Sequence, residues 1–334
     1  MEPKISVILP FYNAANTLSR ALDSITSQTY ENFECILINN NADDKCSKLA
    51  KKFCKKDGRF KLLYEERQGV VFASNKGSAN AKGDFICRMD ADDELTTDSL
   101  AKRVDYLVSH PGYDVVCGLA EYIPHHHNTA GFRRYVKWSN SIRSYHDILL
   151  NRFAESPVIN PTAMWRKEAA ENHGMYRYGD FPEDYELWLR WLDAGVKIHK
   201  LDEIVLRWYD SDQRLTRTDS CYSDKAFFKI KARYLARWLK HEKGIYEVWV
   251  WGASRRSRRW SKYLKDEGIK ITAYIDIHKK RKIEGHHIVY FGDLPSPDNI
   301  FILVYNRHHL QKKEIASILK GKGFKEGKNF LFAG

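Results

Sequence analysis

Short apolar runs that alternate with helical stretches are the feature that most limits how this chain of 334 residues folds. Four such runs stand near residues 5–10, 33–38, 60–64 and 84–89, separated by polar turns and by segments with helical spacing. Apolar, β-branched runs bounded by turn residues are typical of buried strands. Strands that alternate with helices predict a parallel α/β sheet over the first 90 residues.

The same alternation begins again near residue 245, after a basic amphipathic helix. Strands are predicted at residues 248–251, 271–276 and 301–304, and helices at 255–267 and 310–322. The fold class is therefore α/β in both the first and the second of these regions. We predict a first domain at residues 1–220, a linker helix at 221–244 and a smaller Rossmann-like domain at 245–334.

Charge is distributed unevenly along the chain. The net charge is +12, but residues 225–334 carry +15 and residues 1–224 carry −3. This excess favours an anionic partner for residues 221–334, and the interpretation we prefer is peripheral contact with an anionic membrane surface. A helix that packs between two domains with solvated cations explains the region 222–241 as well. No nucleic-acid-binding signature is present, so we expect no nucleic acid partner.

The six cysteines form no C-x-x-C pair, which predicts reduced, packed thiols rather than a zinc site. No apolar run approaches the roughly 20 residues that span a bilayer. The N-terminus also lacks a signal-peptide pattern. These observations predict a cytoplasmic protein. The basic region 221–334 adds the expectation of a peripheral position on the inner face of the membrane.

A cluster of acids follows directly on the fourth predicted strand, in the sequence Asp90-Ala91-Asp92-Asp93-Glu94. Ligands of open α/β sheets gather at the carboxyl ends of strands. Carboxylates placed there suit a divalent cation that also bridges phosphate oxygens. A solvated acidic turn that caps the next helix is the alternative, and spacing alone does not exclude it.

A second acidic site, Asp180-Phe181-Pro182-Glu183-Asp184, stands at the predicted start of a helix. Negative charge there interacts favourably with the helix dipole, which is a sufficient structural reason for these acids. The functional alternative is a general base. Spacing does not decide between the two.

The order of several motifs along the chain favours the functional interpretation of both acidic sites. These motifs lie at residues 6–13, 28–30, 36–44, 73–77, 81–84, 90–93 and 182–188. Their succession closely resembles that of the family 2 glycosyltransferases, which have a nucleotide-sugar-binding, Rossmann-like domain of the GT-A type. The resemblance covers about residues 4–218.

The resemblance implies a nucleotide-sugar donor, with UDP as the expected nucleotide. The residues that would contact this donor are Pro10, Tyr12, Asn13, Asn39, Asn75, Asp90 and Ala91. Asp92, with Asp90, would ligate a Mn²⁺ or Mg²⁺ ion carried by the diphosphate.

Two further residues take catalytic roles by the same resemblance. Asp184 would deprotonate the acceptor hydroxyl as it attacks the anomeric carbon, which inverts the configuration. Glu183 would hold Asp184 or bind the acceptor. A metal that offsets diphosphate charge and one carboxylate on the opposite face suffice for a direct displacement.

Two positions depart from the family pattern: Asn39 stands where Asp is common, and Ser74 where Arg is frequent. The Q-x-x-R-W signature of processive polymerases and their membrane helices are absent from the sequence, which favours a single-addition enzyme. The implied reaction moves one sugar to a glycan or lipid-linked acceptor in cell-surface polysaccharide synthesis. A non-catalytic sugar-nucleotide or glycan-binding protein on the same fold is the alternative.

The segment 207–217 lacks the His that completes the metal shell in many members. Asp210 or Asp212 would substitute for it, and Arg214 or Arg217 would face the diphosphate. Ordinary surface roles explain these four residues equally well.

Residue types indicate the character of two other regions. The stretch 120–160 is predicted to be irregular, either a flap facing the acceptor or a plain surface loop, and its histidines 125–127 are assigned to a loop rather than to a metal. Gly252, with Asp276 at the end of the next strand, has the layout of a dinucleotide fingerprint. Ser254 and Ser257 replace the later glycines, so we favour a fold relic or docking domain over an NAD-binding redox domain.

Overall fold

A computed structural model of the chain describes residues 3–124, 130–212, 214–279, 281–306 and 309–334. The chain divides into two compact units. The first comprises Met1–Tyr145 and Pro157–Asp219, and the second comprises His146–Ser156 and Ser220–Gly334. The domain bounds inferred from the sequence remain a prediction.

The elements up to residue 219 follow the expected alternation as far as the fourth strand. In chain order they are β1 (Ile5–Phe11), α1 (Leu18–Thr26), β2 (Phe33–Asn39), α2 (Asp44–Lys56), β3 (Phe60–Tyr64), α3 (Val70–Ala79), β4 (Phe85–Arg88), β5 (Glu94–Leu95), α4 (Ser99–Ser109), β6 (Val115–Ile123), α5 (Ala130–Ser141), α6 (Tyr145–Asn151), β7 (Met164–Arg166), α7 (Lys167–His173), α8 (Glu183–Asp193), β8 (Ile198–Tyr209) and α9 (Leu215–Thr218).

The first unit contains an eight-stranded sheet in the order β3-β2-β1-β4-β7-β6-β8-β5. Its first four strands are parallel, and β7 joins β4 in antiparallel orientation. Phe11 pairs with Asn39, and Asn39 pairs with Tyr64. The carboxyl ends of β1, β2 and β3 therefore meet at one edge, and the predicted α/β class is confirmed.

Two packing features fix the helices that carry candidate residues. A Cβ at Gly77 of α3 would lie 2.4 Å from Ile8 and 2.7 Å from Ile38, so only glycine lets α3 approach the sheet this closely. Trp188 and Trp191 of α8 pack edge to face with Trp165 of β7, at ring-centroid distances of 6.2 and 5.9 Å, and with each other at 5.8 Å. All three rings are fully buried, and they anchor α8.

The stretch 120–160 differs from the expectation. Its described residues include the helices α5 and α6 rather than an irregular flap or loop, so that prediction was wrong. The rings of Phe132 and Tyr135 of α5 pack near the ring of Trp208, with ring centroids 5.4 and 6.4 Å apart. This packing supports the helix. Residues 125–129, with the three histidines, lie outside the described residues.

The second unit contains a five-stranded parallel sheet in the order β11-β10-β9-β12-β13. Besides the greater part of α6, the unit contains α10 (Asp224–Lys243), β9 (Glu247–Trp251), α11 (Arg255–Asp266), β10 (Lys270–Asp276), β11 (Ile288–Tyr290), β12 (Ile302–Val304), α12 (His309–Gly321) and β13 (Phe330–Phe332). The expected second, smaller α/β fold is confirmed. Ser223 caps the start of α10, and Gly244, at φ 64°, ends it.

None of the helices in the described residues combines the length and the apolar character that crossing a bilayer requires.

Candidate active site

Three carboxylates lie together in the turn that follows β4. One oxygen from each of Asp90, Asp92 and Asp93 lies within 4.8 Å of the other two. The amide of Tyr209 donates a hydrogen bond to Oδ1 of Asp93 at 2.9 Å, and among the described residues nothing donates to its buried Oδ2. Burial raises the pKa of Asp92, and burial with the charge of Asp92 raises the pKa of Asp93 well above its usual range. Burial and mutual repulsion therefore disfavour the ionised forms of these carboxyl groups, and a bound cation would offset both effects.

Arg88, at the end of β4, connects this turn to α8. Its Nη2 lies 2.9 Å from Oδ1 of Asp90, and its Nη1 donates to Oε1 of Glu183 at 3.0 Å. Both Arg88 and Glu183 are buried. Arg88 and Glu183 are 95 residues apart in sequence, and this one guanidinium thus brings the acidic turn together with the start of α8.

Asp184 lies beside this bridge in the first turn of α8. Its Oδ1 accepts a hydrogen bond from the Tyr185 amide at 2.7 Å. Burial of the carboxyl group and the neighbouring charge of Glu183 raise the pKa of Asp184 to about 7, against the opposing effect of Arg88. A carboxylate with a pKa near neutrality is suited to accept a proton.

The loop before α8 is fixed from two sides. Both amide atoms of Asn75 bind the backbone of Tyr176, at 2.8 and 3.1 Å. Arg190 donates to the carbonyls of His173, Gly174 and Met175. Asn75 thereby positions the loop that leads to Asp184, and its predicted contact with a donor remains a prediction.

The other predicted donor residues stand at the carboxyl edge of the sheet or in the acidic turn. Pro10 is buried in β1, and the Tyr12 side chain is 54% exposed. Asn13 has φ 48°, a left-handed conformation that Asn tolerates. Ala91 is half-buried between Asp90 and Asp92.

Asn39 uses both ends of its amide within its own turn. Its Nδ2 donates to Ser47 at 2.8 Å, and its Oδ1 accepts from the Ala42 amide at 2.8 Å. In this arrangement Asn39 shapes the β2–α2 turn, and its role in reading the base remains a prediction. Ser74, where the family often has Arg, is buried in α3.

The segment after β8 distributes its charges unequally. Asp210 pairs with Arg217 at 2.9 Å and accepts a hydrogen bond from Tyr122 at 2.6 Å. Asp212 is exposed and lies 3.6 Å from Arg217. Arg214 faces the acidic turn instead, with Nη1 3.9 Å from Oδ1 of Asp93.

Sequence reasoning missed several residues that organise the site. Arg88 and Tyr176 support α8, with the guanidinium 5.4 Å from the ring centre. Arg20 stacks on Tyr209 at 3.6 Å and donates to the Asp92 carbonyl at 2.5 Å. A charged residue at the end of the apolar β4 run, two positions before the acids, was the available signal for Arg88.

The dinucleotide-like turn of the second unit is internally satisfied. Gly252 has φ 104°, and Ser254 accepts a hydrogen bond from the Ser257 amide at 3.1 Å. Asp276 lies 3.0 Å from Arg281 and accepts from the His278 amide at 2.9 Å. The acid of this fingerprint-like layout therefore holds its own loop, and the fold-relic or docking interpretation remains a prediction.

Comparison with known proteins identifies the family of this chain. The sequence profile of Glycosyl transferase family 2 matches residues 6–174, just over half of the chain. The chain belongs to glycosyl transferase family 2, and its fold is of the GT-A type followed by a second α/β fold.

Curated relatives are similar over different lengths. EpsE of Bacillus subtilis, assigned as a glycosyltransferase, is 28% identical over 233 residues, which cover 66% of this chain and 78% of that protein. GlyA of Streptococcus pneumoniae, a glycosyltransferase, is 36% identical over 118 residues, covering 35% of this chain and 17% of that protein. An uncharacterized glycosyltransferase of Rickettsia bellii is 32% identical over 128 residues. The chain spans only 18% of this last relative, against 36% of its own length.

Two solved structures have a similar fold. TarS 1–349 of S. aureus, solved with UDP-GlcNAc, matches with a TM-score of 0.57 at 15% identity over 80% of this chain and 81% of that one. The mannosyltransferase PcManGT of Pyrobaculum calidifontis, solved with GDP-Man and Mn²⁺, matches with a TM-score of 0.51 at 17% identity over 80% and 70%. At these identities the similarity concerns the fold.

Proposed function

We propose that this chain is a metal-dependent, inverting glycosyltransferase. It moves a single sugar from a nucleoside-diphosphate sugar, with UDP as the expected nucleotide, to a hydroxyl of a glycan or lipid-linked acceptor in cell-surface polysaccharide synthesis. The observation that carries the proposal is the bridge from Asp90 through Arg88 to Glu183, which brings the acidic turn to the helix start that also holds Asp184, a carboxyl group whose own pKa is raised. Family membership supports the reaction class.

The acidic turn fits a divalent cation. It offers clustered carboxylate oxygens, the donors that Mg²⁺ and Mn²⁺ prefer, and the buried Oδ2 of Asp93 has no hydrogen-bond partner among the described residues. Asp92 and Asp90 would hold the ion. When bound, such an ion supplies positive charge that offsets the charge on the departing diphosphate.

Asp184 would act on the acceptor. Its carboxylate takes the proton of an acceptor hydroxyl while that oxygen attacks the anomeric carbon. The bond from this carbon to the diphosphate oxygen breaks, and its electron pair leaves with the diphosphate. Attack from the face opposite the leaving group inverts the anomeric configuration, and Glu183, fixed by Arg88, holds the neighbouring backbone in place.

The experiment that tests this function is a donor panel. Purified full-length protein is incubated with UDP-, GDP- and dTDP-sugars, with Mn²⁺ or with EDTA, and release of the nucleoside diphosphate is followed by chromatography. We expect slow release from one donor class that stops with EDTA. Equal release with EDTA would contradict metal dependence, and no release from any donor would favour a binding protein.

The pH dependence of the reaction follows from the raised pKa of Asp184. Because only the ionised carboxylate accepts a proton, kcat/KM is expected to rise from pH 6 to pH 8 and to level off above the pKa of about 7. Initial rates in buffers of constant ionic strength measure this profile. A rate that is flat from pH 5 to pH 8 would exclude Asp184 as the group that titrates.

We also propose that residues 221–334 contact an anionic membrane surface from its cytoplasmic side. Lys225, Lys229, Arg233 and Arg237 of α10 are all exposed and recur at a spacing of four residues, which places them along one stripe of the helix. Each cation near an anionic bilayer contributes about 1 kcal/mol.

Charge removal on α10 is expected to weaken vesicle binding. The triple variant Lys225→Gln, Lys229→Gln, Arg233→Gln should bind phosphatidylglycerol vesicles at least about tenfold more weakly in co-sedimentation. Lys48→Gln, Lys52→Gln, Lys55→Gln is the matched control, because these lysines are exposed on α2. Equal loss in both triple variants would show a non-specific charge effect.

A further inference from the structure

Two arginines, Arg214 and Arg217, stand in the segment 210–217 that follows β8. Among the described residues of this segment, only Arg214 has a guanidinium that faces the acidic turn. Arg217 is engaged by Asp210, through contacts of 2.9 Å from two of its nitrogens. Arg214 Nη1, in contrast, lies 3.9 Å from Oδ1 of Asp93. The structure thus distinguishes two arginines that the sequence treated as equivalent.

The environment of Arg214 fixes its guanidinium in place. Its side chain is only 8% exposed, its guanidinium stacks on the Trp208 ring at 3.9 Å, and it donates to the carbonyl of Tyr209. Burial alone would lower the pKa of Arg214, but Asp93, Asp92 and Asp90 outweigh this effect and raise it. The side chain is therefore a permanent cation held against the carboxylates.

A cation in this position has opposite effects on two ligands. Without a nucleotide, Arg214 and a divalent ion are attracted to the same carboxylates and repel each other. Each cation therefore lowers the affinity of the carboxylates for the other. A diphosphate adds negative charge beside both cations and favours both. A fixed guanidinium thus weakens metal binding to the nucleotide-free site and strengthens binding of the diphosphate.

We propose that Arg214 is a donor-binding residue, a built-in counter-cation that lowers metal affinity in the donor-free protein and contacts the donor's diphosphate. The proposal rests on the proposed function of the acidic turn. Metal and donor would then bind in a mutually dependent manner rather than in sequence.

The test compares Arg214→Gln with the parent at pH 8. Mn²⁺ binding to the nucleotide-free protein, measured from the electron paramagnetic resonance signal of free Mn²⁺, should tighten about threefold or more, since a repelling charge is removed. UDP binding in the presence of Mn²⁺, measured by calorimetry, should weaken roughly tenfold. Arg214→Lys should restore most of the UDP affinity.

The matched control is Arg207→Gln, because Arg207 is a half-exposed arginine on β8 that pairs with Glu94 and Glu121. Unchanged Mn²⁺ and UDP affinities in Arg214→Gln would overturn the proposal. A loss of both affinities would also overturn it, because that result indicates disruption of the segment. The parent protein tests the proposed metal site separately. If the parent binds no Mn²⁺ with or without UDP, the metal assignment is wrong whatever the role of Arg214.

Discussion

Asp184→Asn is expected to lower the rate of sugar transfer by roughly 10²–10⁴-fold, the range typical of a removed general base. Asn keeps the shape of the side chain and the acceptor for the Tyr185 amide, but it accepts no proton. Mn²⁺-dependent binding of the nucleotide should persist, because Asp184 lies outside the acidic turn. Turnover measured alongside nucleotide calorimetry separates these two effects.

The same substitution should not cost stability at neutral pH. Asp184 has a pKa of about 7 when folded, against roughly 3.9 when unfolded, so its ionisation opposes folding. The parent is therefore expected to lose stability as the pH rises from about 4 to about 7, and Asp184→Asn should lose less. At pH 8 its Tm is expected to equal or exceed that of the parent.

Asp180→Asn is the matched control, because Asp180 is an exposed acid on the same loop. It should leave turnover near the parental value. Parental turnover in Asp184→Asn would show that Asp184 is not the base, and a Tm well below that of the parent would show that the side chain is structural.

Asp92→Ala is expected to weaken Mn²⁺-dependent nucleotide binding about 100-fold or more, since it removes a proposed metal ligand. Asp90 remains as the second proposed ligand, but without Asp92 the ion keeps only this one of the two carboxylates, and the Arg88 guanidinium partly offsets its charge. Calorimetric titration of UDP with and without Mn²⁺ measures the effect.

The control for this variant is Asp98→Ala, at an acid with a 46% exposed side chain that pairs with Lys102. Its nucleotide affinity should match the parent. Nucleotide binding by Asp92→Ala that still depends on Mn²⁺ at parental strength would remove Asp92 from the metal site.

Local sequence predicted the first half of the sheet well for a physical reason. The runs that became β1 and β2 are buried along their whole length, so their residue types alone indicate strands. β8 was missed because it alternates irregularly between buried and exposed positions over twelve residues. α5 was missed because the aromatic contacts that support it come from Trp208, which is distant in sequence.

The candidate site was only partly accessible from the sequence. Spacing placed Asp90 after a strand and Asp184 at a helix start, but nothing in either motif said that the two meet. The connection runs through Arg88, a residue outside both motifs, and depends on how β4 and α8 are placed. Asn75 shows the converse, since a motif residue expected at the donor holds the backbone of Tyr176.

The anomeric configuration of the first-formed sugar product tests the central claim most directly. The full chain is incubated with Mn²⁺ and the donor that it consumes in the panel, and the product is followed by proton NMR from the first minutes, before the anomers equilibrate. A single displacement assisted by Asp184 predicts that an α-linked donor gives the β product first. An α product formed first, or turnover that Asp184→Asn leaves unchanged, would contradict the account.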